Sequence, residues 1–156
     1  MASTDYTGRM VDLFIFQGAE EFGDQRIDSG WGDVGELTTG IQKLAQTWTI
    51  MFLTDSGSVM NEPNRGTAFL NSMRFGRIRV DEDIPAEFAI AAARIFQQMA
   101  QDSANADIAD DELLDEAILL EYGIDYAQAL LWLKVRLVSL AGDERVIYLP
   151  ISVPIH

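Results

Sequence analysis

Residues 127–140 read AQALLWLKVRLVSL. Leu131, Leu133, Val135, Leu137 and Ser139 alternate with Trp132, Lys134, Arg136 and Val138. A period of two belongs to a strand with one face in a core and a mixed face toward solvent or a partner. The flanks extend this reading: Ala117–Tyr122 and Arg145–Val153 also have strand composition. Ala141–Gly142–Asp143–Glu144 supplies the turn into the last strand, and Gly123–Ile124–Asp125 the turn into the middle one. Three consecutive strands predict an antiparallel meander.

Upstream, the period becomes helical. Ile41, Leu44, Trp48 and Met51 share one face, Thr39 and Gln42 are spaced as a capping box, and Gly57 is placed to stop the helix. Thr67 is placed to cap a short helix whose Phe69, Leu70 and Met73 face inward. A longer helix follows, with Asp83 as cap, Pro85 in the first turn and Glu87 near the positive end of the dipole. Its apolar stripe is Ile84, Phe88, Ala91, Ala92, Ile95 and Met99, and it fades between Gln101 and Asn105. Val11–Phe16 (VDLFIF) reads as a short strand or docking arm. Residues 18–40 hold six of the 12 glycines, which is loop chemistry with room for one short hairpin. The expected fold is α+β: two or three helices on a C-terminal antiparallel three-stranded meander, with an N-terminal strand or arm. Residues 1–35 form the arm and Gly/Asp-rich loop, and residues 36–156 a single domain.

Composition narrows the function. The chain has 156 residues, 48% of them apolar, which suits one domain with a real core. No apolar run approaches the ~18 residues of a membrane span, and MASTDYTGRM has no secretory pattern. There is no cysteine and the only histidine is His156, so thiolate or histidine zinc sites and a Ser–His triad are not expected. This fits folding in a reducing cytosol. With 25 acidic and 11 basic residues the net charge is −14, which disfavours nucleic acid and anionic membranes as partners. No metal or cofactor is expected.

The case for catalysis rests on carboxylates: Asp55 and Glu62 in one loop, and Asp110, Asp111, Glu112 and Asp115 in another segment. Glycoside hydrolysis needs two carboxyl groups at a set separation, one in an apolar setting. So acidic a chain offers such pairs by chance, and Asp110–Glu112 also reads as solvated surface or as negative charge at a helix N-terminus. EF-hand, P-loop, GxGxxG and GxSxG patterns are absent. No catalytic residue is therefore assigned. Of the tryptophans, Trp48 lies on the apolar face of its helix and Trp132 off the inward register, which suits a partner surface; Trp31 sits in the glycine-rich loop.

The connector between the first two helices, FLTDSGSVMNEPNRGTAFL at 52–70, places Thr54, Gly57, Pro63, Gly66 and Thr67 in a T-x2-G-x5-P-x2-G-T pattern, with Phe69–Leu70 after one alanine. This pattern, its lead-in GDVGELTTGIQKLAQTWTIMFLT and the order of elements around it resemble the baseplate wedge, or sheath-initiator, family of contractile phage tails and type VI secretion systems, also labelled "lysozyme-like". The resemblance covers roughly 33–151. It implies a non-enzymatic virion component, assembled in the bacterial cytoplasm, whose partners are the tail sheath protein, other wedge proteins and tail tube or hub proteins. It further implies that the C-terminal sheet mimics a sheath subunit and takes a sheath arm as an added strand. Trp132, Arg136, Val146, Tyr148 and Ile151 are the expected contacts, with Ile147 as the position where proline would remove a ladder donor. The family often carries a Glu-Pro-Arg motif that docks wedge neighbours; the corresponding place here is Asp111–Glu112–Leu113, without proline or arginine. The rival readings are a peptidoglycan-cleaving glycoside hydrolase and a self-associating domain of an unrelated bacterial complex.

Overall fold

The computed structural model describes residues 38–153, together with the backbone of 12–13, 16–18, 25–27 and 37. Two short antiparallel pairs come first: β1 (Asp12–Leu13) with β4 (Leu37–Thr38), and β2 (Phe16–Gly18) with β3 (Gln25–Ile27). The strand expected at Val11–Phe16 is thus two pieces, and Val11, Phe14, Ile15 and Trp31 lie outside the described residues. Helices α1 (Gly40–Leu53), α2 (Phe69–Arg74) and α3 (Ile84–Ser103) follow, then β5 (Leu114–Asp125), β6 (Leu130–Ser139) and β7 (Glu144–Ser152). The last three form one antiparallel sheet in the order β5-β6-β7. The fold is α+β, with a helical layer on a three-stranded meander.

The two periods meet in one core. Leu131, Leu133, Val135, Leu137 and Ser139 are all buried, as the alternation requires. Against them lie Leu44, Ala45, Trp48, Met51 and Phe52 of α1 and Ile84, Phe88, Ala91 and Ile95 of α3. Trp48 stacks on Phe52 with ring centroids 5.0 Å apart, and Phe52 meets Phe69 at 4.8 Å. Such aromatic pairs each contribute about 0.5–1.5 kcal/mol beyond area burial.

Four local expectations are corrected. Thr39 makes no side-chain cap on α1; Glu112, 72 residues away, accepts the Gly40 N–H at 3.1 Å instead. Gly57 does not stop α1, whose C-cap is Thr54 in extended conformation; its φ of 92° serves the turn closed by Ser58 N–H to Asp55 O, 3.0 Å. Asp83 caps backward, accepting the N–H groups of Arg79 (2.8 Å) and Val80 (3.2 Å) in the turn before α3. Gly123 is not a turn residue: it pairs with Trp132 inside the sheet, and the turn lies at 126–129. Its composition misleads because the Trp132 indole covers it; a Cβ at Gly123 would stand 3.0 Å from the ring.

Candidate interaction surface

The two edges of the sheet differ. Val153 N–H donates to the Ala129 carbonyl at 2.8 Å, continuing the register in which Leu131 faces Ile151 and Val135 faces Ile147. Hydrogen-bonded pairs alternate along an antiparallel ladder. The amides of Ile151, Leu149 and Ile147 therefore point to β6, and those of Ser152, Tyr148 and Val146 point to the open side. Pro150 belongs to the open set, so its missing N–H costs the ladder nothing. Among the described residues no strand pairs with this side of β7; β3 approaches β7 without a ladder.

The β5 edge is blunted. Its Ile124 N–H donates outward to the Asp81 carboxylate at 3.0 Å. Register shifts at Leu114/Glu116 and Leu119/Glu121 bend the strand, and the exposed Glu116 and Glu121 add charge. Bulges, charge and covering groups are the usual protection of an edge. On β7 Glu144 and the half-buried Arg145 at one end and Pro150 toward the other serve that purpose, and Val146 and Tyr148 lie between them.

The outer face of the sheet carries Trp132 opposite Pro150, Lys134 opposite Tyr148 and Arg136 opposite Val146. Trp132 is half-buried and stacks on Tyr148 with centroids 6.2 Å apart. Val146 is exposed, and Lys134 pairs with Glu121 at 3.6 Å. The Nε groups of Arg136 and Arg145 are buried without a hydrogen-bond partner among the described residues, and burial pushes the Arg145 guanidinium below its ordinary range. Four of the five expected contact residues thus share this face and edge. Ile151 does not: it points inward and is buried in the core. Ile147 is likewise core, and its amide belongs to the β6 ladder, so proline there would damage the sheet itself.

The connector motif is architectural. Thr67 N–H donates to Thr54 O at 2.8 Å and Ser56 N–H to Thr67 O at 2.9 Å, closing the loop in a parallel bridge. The buried Thr67 hydroxyl donates to Phe52 O at 2.9 Å and accepts the Phe69 N–H. Gly66 has φ 89°, and a Cβ there would lie 2.2 Å from Thr54 O. Helix α3 bolts the loop down. Arg94 donates to Ser56 Oγ and Asn64 O, both at 2.8 Å. Gln98 accepts the Gly66 N–H at 3.0 Å and donates to Gly66 O at 2.9 Å. Pro63 offers its carbonyl to Ser56 Oγ at 3.5 Å. The Arg94–Gln98 pair went unread in the sequence; its only signal is the i,i+4 spacing of two long polar side chains beside the apolar stripe.

Asp55, Glu62 and Glu112 have ion-pair partners, and the second oxygen of Asp55, Oδ1, is buried with no hydrogen-bond partner among the described residues. Asp55 binds Arg74, and Glu62 binds Arg65 at 3.2 Å. Glu112 also accepts from Lys43 Nζ at 3.1 Å, so the acidic segment supplies negative charge at the N-terminus of α1. Asp111 lies beside the same helix start, its carboxylate 3.1 Å from where a Gly40 Cβ would be. Among the described residues no three His, Cys, Asp or Glu side chains gather as metal ligands. The chain matches no protein-family model and no curated protein sequence.

Proposed function

We propose that this protein is a non-enzymatic structural component of a contractile-tail baseplate that starts sheath assembly by accepting a strand on β7. One observation carries this reading: of the two sheet edges, β5 is bent and bonded to Asp81, whereas β7 leaves its Val146 and Tyr148 amides unpaired among the described residues. An added strand gains affinity from main-chain hydrogen bonds and register from alternate side chains. Val146 and Tyr148, with Trp132 and Arg136 behind them, supply those side chains. The connector resemblance supports the same role, because its threonines and glycines lock a loop through hydrogen bonds to its own backbone. The sheath protein is then the edge partner, and wedge, tube or hub proteins take other surfaces in the virion.

Val146→Pro tests the reading, with Val146→Ala as its control. The proline deletes one open-side donor and leaves the β6 ladder intact. Particles carrying it should assemble a baseplate and fail to extend sheath. Full-length sheath on a folded Val146→Pro protein would refute strand addition.

A further inference from the structure

With 25 acidic residues in the chain, a cation has many carboxylates to choose from. Lys43 has Glu112, Arg65 has Glu62 and Asp102, Arg74 has Asp55, and Lys134 has Glu121. Arg145 has none among the described residues. It pairs with Leu137, whose side chain is in the core, so Arg145 points to the helical side of the sheet. It is half-buried, and its Nε is covered without a hydrogen-bond partner among the described residues. Burial lowers its pKa, and no neighbouring carboxylate raises it. Glu144, next in the chain, points to the opposite face of the strand. Arg136 shares the covered Nε, but it stands on the outer face of the central strand, away from the edge.

A strand added to β7 changes the surroundings of this one guanidinium most. The Arg145 amide belongs with those of Ile147 and Leu149, which face β6. Toward an added antiparallel strand Arg145 therefore takes a non-hydrogen-bonded position, where facing Cα atoms are about 4.5 Å apart and side chains are closest. The new strand also removes water from an already half-buried cation. An ion closed off from water without a counter-charge is strongly destabilising, whereas a carboxylate bonded to the guanidinium fork compensates it. A strand with an apolar residue facing Arg145 is penalised, and one with an acid there is admitted. A second copy of β7 belongs to the penalised class. In twofold pairings centred from Arg145 to Tyr148, Arg145 faces another Arg145, Ile147, Leu149 or Ile151, and never a carboxylate. An inward-pointing charge is one of the ways in which natural edges refuse wrong strands.

We propose that Arg145 selects the strand that β7 accepts, and that the residue facing it in the added strand is an aspartate or glutamate. This inference rests on the strand-acceptor reading and names the chemistry of its partner. The open amides of Val146 and Tyr148 bond any backbone, so they give affinity without identity. Arg145 supplies the identity and fixes the register.

NMR titration of the full chain with short strand peptides tests it. The peptides alternate threonine and valine and differ only at the centre, which is glutamate, lysine or valine. The glutamate peptide should shift the Val146 and Tyr148 amides and bind at least about tenfold more tightly than the other two. Arg145→Glu should turn the preference to the lysine peptide, and Arg145→Lys should keep it for glutamate. Glutamate and valine peptides that bind the wild-type protein equally at Val146 and Tyr148 overturn the inference and leave strand addition standing. Peptides that shift neither amide overturn strand addition, and the inference with it. If Arg145→Glu loses the β6 ladder, read from fast exchange at Ile147 and Leu149, Arg145→Gln carries the test. It should bind the glutamate and valine peptides equally, and a retained glutamate preference would place the selection elsewhere.

Discussion

Gly57 and Gly66 both hold positive φ, 92° and 89°, but their surroundings separate them. Nothing lies within 4 Å of a Cβ at Gly57, so Gly57→Ala should cost only the left-handed backbone term, about 1–2 kcal/mol. At Gly66 the new Cβ would strike Thr54 O, which already accepts the Thr67 N–H. Gly66→Ala should therefore cost at least about 3 kcal/mol, measured as a shift in urea midpoint. Equal losses would contradict this loop geometry. The turn chemistry was legible because glycine and proline act locally; the contact that makes Gly66 the more demanding position joins residues 12 apart and was not. Glu112 makes the same point over a longer distance. Glu112→Gln should lower stability by about 1–3 kcal/mol, because the Gly40 N–H and Lys43 both lose a charged acceptor in a setting where the Glu112 side chain is 9% exposed. Asp83 supplies a pH signature. The Arg79 and Val80 N–H groups hold its carboxyl below the usual range. Its folded pKa lies below the unfolded one, so its contribution is present above the ordinary carboxylate range and fades as pH falls through the lowered value. Asp83→Asn should flatten that acid limb in a stability–pH profile.

At the scale of elements, α3 and the sheet were readable because each repeats one signal many times. Six stripe positions on α3 and five on β6 all carry the same message, so a single ambiguous residue does not alter it. Element ends were less legible. Gly123 looked like a turn because its reason for being glycine, the indole of Trp132, is a cross-strand neighbour. The function of an edge is also invisible to periodicity: alternation tells which face is inward, not which amides lack a partner. Ile151 shows the limit, since it seemed a contact residue by composition and lies in the core by register. The i,i+4 pair on α3 gives a test at this scale. Gln98→Ala strips the partners of the Gly66 N–H and carbonyl and one of the two donors to the Asn64 carbonyl, and should cost about 1–3 kcal/mol. Limited proteolysis of the variant should cut first within 55–66 if the helix holds this loop. Unchanged cleavage would mean the loop holds itself.

For the molecule as a whole, the proposed role is that of a scaffold, with a bonded loop, a protected β5 edge and a β7 edge left unpaired among the described residues. A scaffold should not turn over peptidoglycan. Hydrolysis by the purified protein that disappears in both Asp55→Asn and Glu62→Gln would overturn this. The net charge of −14 sets the expectation against nucleic acid and anionic membranes as partners, but it is a property of the sum and does not indicate where a protein partner sits. The proposed location rests on the ladder instead. Residue-resolved amide exchange is the direct measurement, made on the free protein and on its complex with the tail sheath protein. In the free protein the Ile147 and Leu149 amides should be protected by β6, and the Val146 and Tyr148 amides should exchange fast. In the complex Val146 and Tyr148 should become protected as well. A stable complex in which those two amides exchange as fast as before would contradict the claim that the sheath adds its strand to β7.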